Sequence, residues 1–90
     1  MLSDQGDLAR AQPVFERALV ICEEVYGPGH PSTATSLNGL ANLLLDRRDL
    51  AGARLLYERA LKIREKTLGP KHPATAIIRN NLSQLPSAQR

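Results

Sequence analysis

Residues 27–34 read GPGHPSTA and residues 69–76 read GPKHPATA, so nearly the same eight residues occur twice in a chain of 90. A glycine after a helix supplies the left-handed backbone that ends it, and the proline that follows cannot continue the helix. The second proline of each copy suits the first position of a new helix, where no backbone N–H is needed. The motif therefore predicts a tight corner between two helices, made twice.

A phosphate-binding loop and a metal site are the alternative interpretations of this motif. A phosphate loop needs a flexible glycine-rich turn with Lys and Ser or Thr after a strand, whereas two prolines stiffen this turn and no strand pattern precedes it. His30 and His72 are the candidate metal ligands, but neither has a Cys or a carboxylate at ligand spacing. The pattern favours histidines that cap helices, and we expect no metal and no cofactor.

The corner belongs to a longer internal repeat with an offset of 42 residues. From Asp7 to Leu43, 19 of 37 positions are identical to the residue 42 further on. The tripeptide DLA at Asp7 returns at Asp49, and ERAL at Glu16 returns at Glu58. Periods of this size are typical of helical solenoids.

Each copy has the pattern of two helices, and the sequence predicts an all-α fold of about four helices, at residues 8–26, 31–46, 50–68 and 73–84, packed as antiparallel neighbours. Asp7 and Asp49 are the predicted N-caps of the first and third helices, and Pro13 is expected inside the first helix without ending it. Apolar residues at helical spacing predict the buried faces. They are Leu8, Ala11, Phe15, Ala18, Leu19 and Val25 in the first helix, Leu37, Leu40, Ala41 and Leu44 in the second, and Leu50, Ala53, Tyr57, Ala60, Leu61 and Leu68 in the third.

Composition narrows the class of protein. The lone Cys22 excludes an internal disulfide and fits a reducing compartment, and we interpret it as a surface thiol. No apolar run approaches the length that crosses a bilayer, and the N-terminus lacks the pattern of a signal peptide. We therefore expect a cytoplasmic protein without a membrane partner.

The helix pairs resemble the tetratricopeptide repeat. Leu37, Leu40, Ala41 and Leu44 stand at the signature positions of that family's first helix, helix A, and Ala53, Tyr57 and Ala60 at those of its second, helix B. The 42-residue period and the LGPKHPAT corner are similar to the longer variety found in kinesin light chains. On this phasing, residues 1–90 form a single domain. Residues 6–30 hold a partial repeat with helix B only, 31–69 a full repeat, 70–85 helix A of a partial repeat, and 86–90 a tail.

The resemblance implies a protein-interaction or scaffold module, because in this family the A helices line the concave groove that holds extended peptides. The corresponding positions here are rich in carboxamides, each of which offers a donor and an acceptor to a peptide backbone. The candidate peptide-binding residues are Thr35, Asn38, Asn42, Ile77, Asn80, Asn81 and Gln84. The alternative interpretation is that the asparagines only solvate the helix or bridge neighbouring helices.

Other functions have weaker support in the sequence. No Ser/His/Asp, Cys/His or paired-carboxylate arrangement recurs on one helix face, so we do not expect an enzyme. Nucleic-acid binding rests on the basic third helix, with six cations against two glutamates between Leu50 and Lys71, but aromatic side chains for stacking on bases are missing. A structural spacer or self-assembling unit of a larger array is the main alternative to a peptide-binding module.

The first and last helices each lack a partner on the repeat pattern. Leu8, Ala11, Phe15 and Ala18 face a missing helix A, and Leu82 and Leu85 are expected to be similarly unpaired. Apolar stripes left in water favour association. We therefore expect self-association, either head to tail or as a two-fold exchange of end helices.

Overall fold

The computed structural model describes residues 5–85 and contains four α-helices. They are α1 (Gln5–Val25), α2 (Pro31–Asp46), α3 (Leu50–Thr67) and α4 (Pro73–Gln84). No strand occurs among the described residues, and the all-α prediction is confirmed. The predicted bounds of α2 and α4 match the observed ones, and α3 ends one residue earlier than expected. The predicted tail, residues 86–90, lies outside the described residues.

Neighbours in sequence are neighbours in space. Helix α2 packs against both α1 and α3, and α3 packs in turn against α4. The links at residues 26–30, 47–49 and 68–72 are short, which is typical of antiparallel helix pairs. The result is a row of helix pairs, the architecture that the repeat predicts.

The core lies between α2 and α3. The predicted α2 face is buried throughout, and from α3 it meets Ala53, Tyr57 and Ala60, none of which has any exposed surface. Small alanines on α3 let the two helix backbones approach, and the tyrosine ring fills the remaining space. Burying these side chains is the main favourable term in the folding of so small a chain.

Both corners have the predicted geometry. Gly27 and Gly69 each have φ of +96°, and Pro31 and Pro73 are the first residues of α2 and α4. The residue before each proline is a histidine whose Nδ1 accepts a hydrogen bond from a free backbone N–H of the new helix. The N–H of Ser32 donates to His30 at 2.9 Å and that of Ala74 donates to His72 at 3.0 Å. The histidines therefore act as N-caps, as the sequence indicated.

The two predicted aspartate caps differ. Asp49 caps α3, since its Oδ1 accepts from the Gly52 N–H at 3.0 Å. Asp7 does not cap α1, because that helix already begins at Gln5. Before Asp49, Arg48 at φ 68° turns the backbone out of α2, whereas its counterpart one period earlier, Gly6, is itself helical. The cap depends on this turn, which is absent before Asp7 because the backbone there is already helical.

Helix α1 runs through Pro13 without a break, as predicted. It buries Leu19 against α2, with Leu8 and Ala11 partly covered, but Phe15, Ala18 and Val25 stay exposed. The C-terminal end differs from expectation: Leu85 is buried in the core and Leu82 packs against it. Leu85 is therefore not an unpaired apolar residue, because the chain turns inward where α4 ends. Among the described residues, no helix is both long and apolar enough to span a membrane.

Candidate functional site

The candidate residues lie on α2 and α4, at positions related by the 42-residue period. Thr35 corresponds to Ile77, Asn38 to Asn80 and Asn42 to Gln84. All six except the half-buried Asn38 are exposed, and Asn81 is also half-buried. We refer to these seven residues as the A-helix face. Two of these three equivalent pairs have a carboxamide on both helices.

Asn42 already forms a hydrogen bond within the protein. Its Oδ1 accepts a hydrogen bond from the hydroxyl of Tyr57, which ties α2 to α3. Burial, and secondly the negative charge of Asp46, raise the pKa of Tyr57, so this hydroxyl keeps its proton and remains a donor. The bridging interpretation is thus correct for the oxygen of Asn42, and only its amide N–H groups are left for a ligand.

Thr35 is likewise engaged. Its hydroxyl donates to the carbonyl oxygen of Pro31 at 3.3 Å and accepts from Nη2 of Arg64 at 2.9 Å. Arg64 comes from α3, so the contact holds its side chain against α2. This threonine is therefore a structural member of the A-helix face, and its ability to bind a ligand is reduced.

Asn38 has an unmet acceptor. Its Oδ1 is buried and has no hydrogen-bond partner, and the same is true of Nε of Arg64. A buried carbonyl oxygen without a donor costs free energy. Rotation of the Asn38 amide toward a ligand N–H would give this oxygen a hydrogen bond and recover that free energy. Asn38 is the member of the face with the strongest physical reason to take an external partner.

The α4 part of the face is free of internal bonds. The side-chain amides of Asn80, Asn81 and Gln84 form no hydrogen bond with another described residue. Ile77 is 57% exposed, which places an apolar side chain beside these amides. Carboxamides next to an exposed aliphatic side chain suit a peptide, whose backbone needs donors and acceptors and whose side chains need apolar contact.

A comparison with known families agrees with the fold of packed helix pairs. The tetratricopeptide repeat family model matches residues 1–66 and, in a second match, residues 40–89. The chain belongs to the tetratricopeptide repeat family. Repeats of this family generally mediate protein–protein interaction and scaffolding, and the family is a class of non-enzymatic repeat modules. No curated protein matches the sequence.

Two residues of this tetratricopeptide repeat protein were not predicted to bear on the site. Tyr57 orients Asn42, and Arg64 holds Thr35. A signal for Tyr57 exists in the sequence, because the equivalent residue one period earlier, Phe15, has no hydroxyl. Nothing in the local sequence indicates the contact of Arg64.

The basic surface of α3 is less continuous than its composition suggests. Nη2 of Arg59 lies 2.7 Å from Oε2 of Glu23 on α1, and Arg64 is turned toward Thr35. Two of the cations that would contact phosphates therefore hold the helices together. This observation lowers the support for nucleic-acid binding by the repeat pair.

Cys22 is not the surface thiol that the sequence indicated. It is half-buried, and its Sγ lies 3.2 Å from the hydroxyl oxygen of Ser36 on α2. The prediction was wrong because it rested on the alignment of Cys22 with the polar Arg64. Both residues in fact contact α2. In the part of the chain that the structure describes, no group of three or more His, Cys, Asp and Glu residues is placed to hold a metal ion.

Proposed function

We propose that this chain binds an extended peptide or a partner helix on its A-helix face. The family supplies the general function, protein interaction, and the proposal concerns where the partner lies. The observation that carries it is the set of uncommitted carboxamides at repeat-equivalent positions, Asn38 and Asn80 above all.

The chemistry of the face favours an extended peptide. Amides recognise backbone N–H and C=O groups whatever the peptide sequence, and exposed Ile77 offers one apolar contact. Members of this family that hold a C-terminal carboxylate use paired basic residues on helix A, and the described A helices contribute only Arg79, whose Nη2 donates to the Pro70 carbonyl at 2.8 Å. An acidic C-terminal motif is therefore not the favoured ligand.

The period of 42 residues and the GPxHP corner support a place among the longer, kinesin-light-chain-like repeats. Both corners have one geometry, with a glycine at φ +96° and a histidine cap. We infer that this corner geometry is the feature that distinguishes the longer, kinesin-light-chain-like repeat in this chain.

The experiment is a screen of the chain against an array of extended peptides, followed by calorimetric titration of the best binder. Changing Asn38 and Asn80 together to Ala removes two hydrogen-bonding amides, which should weaken binding about 10- to 100-fold. Helicity should not fall, because alanine is a better helix former than asparagine.

The matched control is Gln12→Ala, which removes a carboxamide from α1 instead. Gln12 is engaged with Arg47 and Glu16, so its loss should leave peptide affinity unchanged. Binding that survives the double change at Asn38 and Asn80 would show that the ligand lies elsewhere.

A structural role, as a spacer or self-assembling unit, is the second candidate. The exposed apolar side chains of α1 favour it, since α1 has a large uncovered surface while its counterpart α3 is covered. That surface is separate from the A-helix face, and each function can be tested without the other.

A further inference from the structure

Helix α1 has an apolar face that the described residues leave largely uncovered, with only Ala11 partly buried. Its members follow one another at spacings of three and four residues, the pattern of a helix seam. We refer to them as the α1 face: Ala11, Val14, Ala18, Ile21 and Val25. Val14, Ile21 and Val25 are all more than half exposed.

The repeat shows that this face is built to be covered. On α3 the same surface lies against α2, where Tyr57 and Ala60 are fully buried and Ile63 is 7% exposed. Their counterparts on α1 are Phe15, which is 38% exposed, the exposed Ala18, and Ile21, which is 51% exposed. Ala18 and Ile21 are identical to Ala60 and Ile63, so at these two positions the difference lies in what packs against them.

The α4 helix of another copy is a poor match for the α1 face. On α2, the residues that cover α3 include Leu37 and Ala41, both fully buried. At the equivalent places α4 has Arg79 and Ser83, both exposed, and Leu85 is already buried within its own chain. Head-to-tail addition would bury a guanidinium against apolar side chains, which is unfavourable without a paired charge.

The charges beside the α1 face fit a second copy of the same face. If two α1 helices lie antiparallel with Ala18 opposite Ile21, then Val14 lies opposite Val25. In that register Arg17 of each copy flanks Glu24 of the other, twice by symmetry. Arg17 and Glu24 are both exposed, and neither is paired with another described residue.

We propose that the α1 face binds the α1 face of a second copy of this chain, with the two helices antiparallel. The dimer is closed, because the same surface serves both copies. It leaves the A-helix face free on each, so the dimer presents two peptide-binding faces.

The mass of the full chain in solution, measured by light scattering after size exclusion, tests the dimer. We expect twice the 9.9 kDa of one chain, with dissociation on dilution. Ala18→Glu places a charge at the centre of the seam and should weaken the dimer at least about tenfold. Since Ala18 is exposed within one chain, the circular dichroism spectrum of the variant should remain helical.

A charge exchange tests the register. Arg17→Glu and Glu24→Arg each put like charges together twice, so each variant alone should dimerise about tenfold more weakly. An equimolar mixture of the two should dimerise as well as the wild type, because the mixed pair has opposite charges at both contacts. Lys71→Glu and Glu58→Arg make the same changes in net charge at exposed sites away from the face, and should leave the mass unchanged.

Three results would overturn the proposal. One is a 9.9 kDa species at every concentration. Another is a dimer that Ala18→Glu leaves intact, which would place the contact on a different surface. The third is growth beyond two copies that Arg79→Glu alters but the exchange at Arg17 and Glu24 does not, which would indicate head-to-tail assembly.

Discussion

Replacing the corner glycines by alanine tests the basis of the fold. Gly27 and Gly69 have φ of +96°, and a Cβ built on either would meet nothing within 4 Å. The cost of Ala is therefore purely conformational. A left-handed backbone costs an L-residue about 1–2 kcal/mol, and the lower entropy of the unfolded chain offsets part of it. We expect a net loss of about 1 kcal/mol for each change, which lowers the Tm of so small a domain by about 4–8 °C.

Gly29→Ala is the matched control for the corner glycines. Gly29 lies in the same corner, also has open space around it, and does not have a positive φ. Its replacement should leave stability unchanged or raise it slightly. The measurement is thermal and urea unfolding followed by circular dichroism at one fixed chain concentration. A Tm of Gly27→Ala and Gly69→Ala equal to that of the wild type, or an equal loss of stability in Gly29→Ala, would contradict a conformational role for the corner glycines.

Three further changes probe the contact between α2 and α3. Tyr57→Phe removes the hydroxyl that donates to Asn42 and should destabilise the chain by about 1 kcal/mol, with no loss if that bond is unimportant. Leu37→Ala, at a fully buried site, should lower the free energy of unfolding by about 2–5 kcal/mol, so that no cooperative unfolding transition remains above 37 °C. A transition close to that of the wild type would contradict the assigned core. In Tyr26→Phe, the remaining Tyr57 should ionise above the ordinary value of 10.0, because burial and then Asp46 raise its pKa. The stability that the buried, protonated Tyr57 contributes is present below pH 10 and is lost as the pH rises through the folded pKa. Ionisation of Tyr57 at or below the ordinary value, measured by ultraviolet absorbance, would be inconsistent with a buried hydroxyl.

The helices and corners could be predicted because their signals are local. Glycine, proline and histidine at each corner specify a backbone turn within a few residues, and the bounds of α2 and α4 match the prediction. The leucines of α2 follow from helical spacing alone. Asp7 was predicted wrongly because a cap needs the turn that precedes it, and Arg48 provides that turn only before Asp49.

The internal contacts of the site residues could not be predicted, for a different physical reason. The acceptor of Asn42 is used by Tyr57, and the hydroxyl of Thr35 by Arg64, so both depend on which side chains of α3 face α2. Cys22 was misplaced for the same reason. Contacts between helices are set by packing across many residues, and a single sequence shows them only where the repeat preserves both partners.

The most direct test of peptide binding on the A-helix face is an NMR titration of the ¹⁵N-labelled chain with the best peptide from the array. We expect the side-chain amide signals of Asn38 and Asn80 to shift together with backbone signals of α2 and α4, while the signals of the α1 face stay in place. Shifts confined to α1 or to the exposed surface of α3, with the Asn38 and Asn80 amides unmoved at saturation, would contradict the assignment of the binding face.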